Sequence, residues 1–173
     1  LIDSKEVVLN EALTDSSRSV KLFLQELGNL IRVRSKAQVI AITGTNGKSS
    51  TADFLRQIWS LYGEQAACFG TLGVVSKKTI KKLDHTTPDA VQLHSILSKL
   101  NDDGVTHVAM EASSHGLDQR RLDSVVVKAA GFTNLTQDHL DFHGDMESYF
   151  AAKAALFNFA MADLACINID DPY

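Results

Sequence analysis

Short apolar runs alternate along the chain with longer stretches in which apolar residues recur at helical spacing. The short runs are rich in β-branched residues and predict buried strands within residues 39–43, 66–72, 105–110, 125–133 and 164–169. The longer stretches predict amphipathic helices over residues 49–62, 88–100 and 147–159. Strands and helices in alternation are typical of a mostly parallel sheet with helices on both faces. We therefore expect an α/β fold.

Residues 1–37 do not follow this pattern, because they hold only a strand-like run at residues 7–9 and an amphipathic stretch at residues 20–31. We interpret them as the end of a preceding domain with a linker, and we place the α/β domain at residues 38–173. The chain lacks an initiator Met and stops just after a predicted strand. We expect it to be a piece of a longer protein.

A glycine-containing segment joins the first predicted strand to the first predicted helix and reads Gly44, Thr45, Asn46, Gly47, Lys48, Ser49. Glycines let the backbone turn tightly with its N–H groups inward, and a helix N-terminus adds partial positive charge. Lys48 would reach the outer phosphates of a nucleotide, and the Ser49 hydroxyl would bind Mg²⁺. Ile42 stands where the usual pattern has its first glycine. A glycine-rich turn with a chance lysine is therefore the alternative.

Glu111 ends the apolar run at residues 105–110 and precedes a segment that reads Ala-Ser-Ser-His-Gly. Open α/β sheets bind their ligands at the carboxyl ends of the strands. A carboxylate at that edge, beside a phosphate loop, is placed to hold Mg²⁺ directly or through water. The alternative is an acid at a strand end that is simply solvated.

A second polar segment follows the strand predicted within residues 125–133, and it places His139 and His143 close to Asp138 and Asp141. Imidazole is a common metal ligand in proteins. Metal ligation is one interpretation of this segment, and a pair of solvated loop histidines is the other.

Lys153 lies on the apolar face of the last predicted helix, which it shares with Tyr149, Ala152, Leu156 and Ala160. A lysine on such a face commonly extends its ammonium group to water. The other interpretation is that it faces the site, where partial burial would lower its pKa and leave a neutral amine free to react.

The composition excludes several classes of protein. A hydrophobic content of 45% is enough to bury a core, and the net charge of −4 gives no reason to expect a nucleic-acid partner. No apolar run approaches the roughly 18 residues of a membrane span, so we expect no membrane insertion. Cys68 and Cys166 lie in apolar runs and are expected to be reduced, buried thiols.

Several segments together resemble the Mur ligases, most closely those of the MurE type, in their order and spacing. They are residues 44–49, residues 111–117, Gln119 with Arg121, residues 134–139, and residues 143–147 leading to Lys153. The resemblance covers residues 38–173 and accounts for Ile42, since this family lacks the first glycine of the usual phosphate loop. It is far more specific than the phosphate loop alone.

The resemblance implies roles for individual residues, each by its match to a family motif. ATP would be bound by Gly44, Thr45, Asn46, Gly47, Lys48, Ser49 and Ser50. Mg²⁺ would be held by Ser49, Glu111 and His139, and a carbamate on Lys153 would help to hold a second Mg²⁺. The UDP-muramoyl peptide would be contacted by His85, Thr86, Thr87, Ser113, Gln119 and Arg121, with His85 standing where the family has Asn. The catalytic residues would be Lys48, His139 and Lys153.

The resemblance also implies the reaction and its partners. ATP would phosphorylate the D-glutamyl carboxylate of UDP-N-acetylmuramoyl-L-alanyl-D-glutamate, and the amine of meso-diaminopimelate or L-lysine would then displace the phosphate. Such an enzyme is expected to be cytoplasmic and monomeric. Residues 1–37 would be the end of an N-terminal UDP-binding domain, and residues 38–173 would be the N-terminal part of the ATP-binding central domain. The C-terminal domain that selects the amino acid would be absent. This chain alone should therefore not catalyse the full reaction.

Two other interpretations stay open. One is a related ATP-dependent ligase, such as folylpolyglutamate synthetase or another Mur step, against which the run of residues 113–121 argues. The other is a non-catalytic MurE homologue that acts as a binding or scaffold protein. The presence of Lys48, Glu111 and Lys153 argues against that second alternative.

Overall fold

The computed structural model describes residues 36–158 and 162–173 of the chain. The strand expected at residues 7–9 and the helix expected at residues 20–31 lie outside the described residues, and the domain boundary at residue 37 stays a prediction. Within the described ranges, no helix is both long enough and apolar enough to cross a membrane.

The strands of the described region form one sheet, most of which is parallel. They are β1 (Gln38–Thr43), β2 (Ala66–Gly70), β3 (Gly73–Ser76), β4 (Ile80–Lys81), β5 (His107–Glu111), β6 (Val127–Phe132) and β7 (Ala162–Ile167). Their order across the sheet is β4-β3-β2-β5-β1-β6-β7. The strands from β2 across to β7 pair in parallel, whereas β3 and β4 pair antiparallel at one edge. The prediction of a mostly parallel sheet is confirmed.

Helices pack on both faces of this sheet, as predicted. The described helices are α1 (Lys48–Leu61), α2 (Ala90–Asp102), α3 (Ser114–Asp118), α4 (Leu140–His143) and α5 (Met146–Asn158). On one face, Ala52 of α1 belongs to the same apolar cluster as Ile42 of β1. On the other face, Leu93 of α2 and Leu156 of α5 share an apolar core with Val108 of β5. Successive side chains of a strand alternate between these two cores.

The sequence pattern does not predict the hairpin of β3 and β4. The strand expected at residues 66–72 ends at Gly70, where the chain turns back into β3. Gly73 follows that turn with a φ of 86°, and a Cβ there would lie 2.2 Å from Lys81 O. The two strands have 4 and 2 residues, which is too short for an alternating pattern to be recognised.

The two cysteines have different surroundings. Cys68 in β2 is buried, and burial raises the pKa of its thiol to about 11. Cys166 in β7 is exposed, so the expectation of a buried thiol is wrong at that position. The physical reason is that β7 forms an edge of the sheet, where nearly all of its side chains are exposed.

The carboxyl ends of four parallel strands meet at one edge of the sheet. The strands β2, β5, β1 and β6 are direct neighbours, and the chain leaves them at Thr71, Ala112, Gly44 and Thr133 respectively. Residues far apart in sequence are therefore brought together at this edge. The predicted site residues lie in the segments that follow these strands.

Candidate active site

The loop after β1 turns sharply before α1 begins. Gly44 and Gly47 have φ angles of 137° and 83°, which L side chains rarely adopt. A Cβ on Gly44 would lie 1.9 Å from Thr133 Oγ1, so both the backbone angle and the space require glycine there. The first turn of α1 starts at Lys48, and its amides have no acceptor within the helix. Amides in this position bind anions, because the helix N-terminus also carries partial positive charge.

The segment after β6 supports this loop through hydrogen bonds. Asn134 accepts the Thr45 N–H at its backbone oxygen over 2.8 Å and the Asn46 N–H at Oδ1 over 3.0 Å. The Thr133 hydroxyl donates to Asn46 O over 2.7 Å. The Thr45 hydroxyl donates to Thr136 O over 3.1 Å and accepts the Thr136 N–H over 3.0 Å. The conformation of the loop is therefore fixed by residues far along the chain.

Gly44→Ala is expected to destabilise the protein and to weaken nucleotide binding. The added methyl group overlaps Thr133 Oγ1 and the positive φ is strained, which together cost about 2–5 kcal/mol. Gly63→Ala is the matched control, since its φ of 87° carries similar strain while nothing lies within 4 Å of the added Cβ. Chemical denaturation of both variants measures the difference. An equal loss of unfolding free energy in the two would contradict the close packing at Gly44.

Lys48 reaches back across the loop from the first turn of α1. Its Nζ donates to Gly44 O over 3.0 Å and to Thr45 O over 2.7 Å. Partial burial lowers the pKa of Lys48, and the negative charges of Glu111 and Asp138 oppose that shift. The amine is thus held over the loop, within the field of two carboxylates.

Lys153 reaches the same loop from α5. Its side chain is only 1% exposed, and its Nζ donates to Gly44 O over 2.7 Å. The amine also lies 4.3 Å from the centre of the Tyr149 ring. Burial, followed by repulsion from Lys48, lowers the pKa of Lys153 to about 7. The amine therefore does not extend to water, and a large fraction of it is neutral near pH 7.

Glu111 is almost fully buried at the end of β5, with 2% exposure. The Thr71 N–H donates to Glu111 Oε1 over 2.8 Å, and the Thr71 hydroxyl donates to Oε2 over 3.3 Å. The carboxylate lies directly against Gly70, where a Cβ would come within 2.1 Å of Oε1. The interpretation of Glu111 as a solvated acid at a strand end is therefore wrong.

A hydrogen-bonded group of predicted substrate residues lies beside Glu111. The Thr87 hydroxyl donates to Glu111 O over 2.9 Å and accepts the Ser113 N–H over 2.9 Å. The Arg121 guanidinium donates to Thr87 O and to the side-chain oxygen of Gln119. The structure thus brings together four of the residues that were predicted to contact the muramoyl peptide.

The remaining predicted residues lie around these two groups. Ser49 is half-buried and Ser50 is exposed, and both are in the first turn of α1. His85 is exposed in the segment between β4 and α2, and within the described ranges its side chain forms no hydrogen bond with the other predicted substrate residues. Thr86 is half-buried, and its hydroxyl oxygen lies 3.1 Å from that of Thr71.

His139 is part of an aromatic cluster. Its ring centre lies 4.9 Å from that of His115, which is itself 4.1 Å from the ring of Phe142 and 5.6 Å from that of His143. Burial is the largest cause that lowers the pKa of both His115 and His143, and repulsion by a neighbouring histidine adds to it. His139 itself is exposed, so it lies at the rim of the cluster. Its φ of 53° is in the left-handed region.

A comparison with protein families places these features in a known group. Residues 42–173 match the family profile of the Mur ligase middle domain. The chain belongs to the Mur ligase family. The matched range contains the phosphate loop, Glu111, His139 and Lys153, so every element of the site described above lies inside it.

Individual Mur ligases share much of this sequence. The UDP-N-acetylmuramoyl-L-alanyl-D-glutamate--2,6-diaminopimelate ligase of Agrobacterium fabrum is 48% identical over 155 residues, which are 88% of this chain and 32% of that protein. A solved structure of a ligase with the same name has a TM-score of 0.73 at 36% identity, and the match covers 90% of this chain and 31% of that chain. This chain therefore spans about a third of the length of these relatives.

A more distant solved structure shares the fold alone. The E. coli FolC protein, in complex with DHPP and ADP, has a TM-score of 0.55 at 22% identity. The match covers 79% of this chain and 38% of that chain. The sequence of the present chain is thus much closer to the diaminopimelate ligases than to FolC.

Two residues that the structure places at the site have no predicted role. Thr71 follows Gly70 at the carboxyl end of β2, next to the strand that carries Glu111. A Gly-Thr pair at the end of a buried strand is a signal that would have found it. His115 lies within the resembling segment at residues 111–117, but only the fold brings its ring against His139.

Proposed function

We propose that this chain is the ATP-binding part of a ligase that forms an amide bond during synthesis of the cell-wall peptide. The observation that carries the proposal is the convergence of two amines, Lys48 Nζ and Lys153 Nζ, on the carbonyl oxygen of Gly44 in the phosphate loop. Amines held this close repel each other when charged, and a bound polyanion such as the triphosphate of ATP relieves that repulsion. A cytoplasmic location and a monomeric state stay predictions.

The names of the relatives favour one pair of substrates. The matched proteins are ligases of UDP-N-acetylmuramoyl-L-alanyl-D-glutamate and 2,6-diaminopimelate. We propose the same nucleotide-sugar peptide as the acceptor of the phosphoryl group here. The incoming amino acid would be meso-diaminopimelate, with L-lysine as the alternative.

The residues of the site also fit a divalent cation. Thr71 engages each carboxylate oxygen of Glu111 once, and each oxygen keeps a further lone pair for a metal. Within the described ranges, no group of three or more His, Cys, Asp or Glu side chains forms a metal site. Ser49, His139 and phosphate oxygens would complete the coordination, and a carbamate on Lys153 would help to hold a second Mg²⁺. When bound, Mg²⁺ neutralises charge that develops on the transferred phosphoryl group.

The proposed reaction has two chemical steps. The D-glutamyl carboxylate attacks the γ-phosphorus of ATP, the bond to ADP breaks, and an acyl phosphate forms. The amine of the amino acid then attacks the acyl carbon, inorganic phosphate leaves, and the amine loses a proton as the amide forms. Lys48 and the amides of the first turn of α1 stabilise negative charge on the phosphoryl oxygens during the first step.

Arg121→Ala is expected to raise the KM for the UDP-muramoyl peptide about 10- to 100-fold, because the variant loses the charged hydrogen bonds that Arg121 is proposed to donate to this substrate. The KM for ATP should stay within about threefold, since Arg121 contacts Thr87 and Gln119 and not the phosphate loop. Arg56→Ala is the matched control, because Arg56 lies on α1 and pairs with Asp53. Steady-state kinetics of the full-length protein provide both constants. Equal changes in both would point to a structural role for Arg121.

A substrate panel on the full-length protein tests the proposed function. ADP release and product mass would be measured with each UDP-muramoyl peptide and each candidate amino acid, and with a folate substrate plus glutamate for comparison. We expect turnover to require UDP-N-acetylmuramoyl-L-alanyl-D-glutamate together with one diamino acid. Turnover with the folate pair would favour the folylpolyglutamate alternative. Binding of the muramoyl peptide without any turnover would favour the scaffold alternative.

A further inference from the structure

Thr71 contacts two groups of the candidate site that are far apart in sequence. Its backbone N–H donates to Glu111 Oε1 over 2.8 Å, and its hydroxyl donates to Glu111 Oε2 over 3.3 Å. The same hydroxyl oxygen lies 3.1 Å from that of Thr86. One side chain therefore joins a proposed metal ligand to a proposed substrate contact.

The proton count gives this chain of hydrogen bonds a direction. A threonine hydroxyl has one proton to donate and two lone pairs that accept. A carboxylate is a stronger acceptor than a hydroxyl, so we assign the Thr71 proton to Glu111 and make Thr86 the donor between the two hydroxyls. The hydrogen bonds therefore run from Thr86 to Thr71 and from Thr71 to the Glu111 carboxylate.

The backbone of β2 keeps the carboxylate within reach of Thr71. Glu111 is 2% exposed, and its side chain occupies the space beside Gly70 that a Cβ would fill. Phe69 of β2 pairs with Met110 of β5 in the residues just before, so the sheet fixes the two strand ends relative to each other. A change in the Thr71 hydrogen bond therefore acts on a carboxylate that has little freedom to move away.

We propose that Thr71 is a positioning residue that couples substrate occupancy at Thr86 to the affinity of Glu111 for a divalent cation. The inference rests on the proposed function, which supplies both the substrate and the cation. When an acceptor atom of the substrate receives the hydrogen bond from the Thr86 hydroxyl, Thr86 no longer donates to Thr71. Hydrogen bonds in a chain polarise one another, so the bond from Thr71 to Glu111 weakens and the carboxylate becomes a better ligand. Bound substrate should therefore raise cation affinity, and by linkage the cation should raise substrate affinity equally.

The test measures Mn²⁺ affinity of the full-length protein by electron paramagnetic resonance, with a non-hydrolysable ATP analogue present throughout. Titrations would be run with and without saturating UDP-N-acetylmuramoyl-L-alanyl-D-glutamate. We expect the substrate to tighten Mn²⁺ binding about fivefold in the unchanged protein. Thr71→Val keeps the backbone N–H bond and a similar shape but lacks the hydroxyl, so the substrate effect should vanish. Thr71→Ser keeps the hydroxyl and should retain the effect.

A second variant keeps the test decisive if Thr71→Val does not fold. Thr86→Val removes the hydroxyl that donates to Thr71 and leaves the contacts of Glu111 in place. At saturating substrate it should also abolish the effect of the substrate on Mn²⁺ affinity. The inference is overturned if either valine variant keeps the full effect, or if the unchanged protein shows none. Turnover by the same unchanged preparation separates the two claims, because turnover without coupling refutes only the role of Thr71.

Discussion

Lys48→Ala is expected to lower ligation by the full-length protein at least about 100-fold, because the variant lacks a donor to the transferred phosphoryl group. The amine lies over the loop, 3.0 Å from Gly44 O, where the phosphates of ATP are proposed to bind. Its loss should act mainly on kcat, since the charge that it stabilises grows in the transition state. The measurement is the rate of ADP release at saturating concentrations of all three substrates.

The fold should survive the Lys48 substitution. The side chain bonds two backbone carbonyl groups of its own loop and contributes nothing to the apolar clusters. A thermal melt should therefore show at most a small decrease in Tm. Lys77→Ala, at an exposed position after β3, is the matched control and should leave turnover unchanged. Near-normal turnover of Lys48→Ala would show that the phosphate-loop assignment is wrong.

Lys153→Arg is expected to lose about 100-fold or more of the ligation rate, although it keeps a long cationic side chain. Our hypothesis is that Lys153 carries a carbamate. The neutral amine attacks CO₂, a C–N bond forms, and one proton is released to give a carbamate anion. A pKa of about 7 makes the neutral amine available near pH 7. Arginine cannot form this group, and it brings a fixed positive charge towards the metal.

The geometry of Lys153 suits this modification. A carbamate nitrogen retains one hydrogen, so the hydrogen bond that Lys153 donates to Gly44 O over 2.7 Å can persist. The added carboxylate supplies oxygen ligands that suit Mg²⁺. Lys153→Ala should likewise lose most activity, and acetate in the vacated space should restore part of the rate. Its stability should fall only modestly, because the substitution also removes a polar group that is costly to bury.

Nuclear magnetic resonance with ¹³C-bicarbonate detects the carbamate without any assay of activity. The unchanged protein should show a carbamate carbonyl signal that Lys153→Arg lacks. Lys99→Arg is the matched control, since Lys99 is exposed on α2 and pairs with Asp103, and it should keep the signal and the rate. A fully active Lys153→Arg protein would refute the hypothesis.

The strand, glycine turn and helix start that form the proposed phosphate loop could be predicted from sequence, because that information is local. A buried β-branched strand, two glycines and a helix start occupy adjacent positions, and the structure has each of them. The hydrogen bonds from Asn134 and Thr133 that hold the loop could not be predicted in the same way. They depend on β6 pairing with β1, which is a long-range feature of the sheet.

Burial of the two chemically important charged residues was also beyond the sequence pattern. Helical spacing places Lys153 on the face of Tyr149 and Leu156, but it does not say that this face packs against the phosphate loop. The position of Glu111 at a strand end follows from the apolar run before it. Its burial follows from Gly70, which leaves room for the carboxylate on the neighbouring strand.

Two errors concern the edges of the sheet, and each has its own cause. An apolar run predicts burial only if something covers the strand, and Cys166 on the edge strand β7 is exposed despite its apolar neighbours. At the opposite edge, β3 and β4 have 4 and 2 residues, which is too few to show a strand period. The central strands, which are covered on both faces, were the ones that the hydrophobic pattern located well.

ATP is proposed to activate a substrate carboxylate as an acyl phosphate, and transfer of an oxygen isotope from that carboxylate to phosphate tests this step. The full-length protein would be given UDP-N-acetylmuramoyl-L-alanyl-D-glutamate labelled with ¹⁸O in the reacting D-glutamyl carboxylate, together with ATP and the amino acid. Mass spectrometry then measures the number of ¹⁸O atoms in the released inorganic phosphate. We predict one ¹⁸O atom in each phosphate, because the carboxylate oxygen that attacks phosphorus leaves with it. Phosphate that carries no label while the amide forms would refute the acyl-phosphate mechanism.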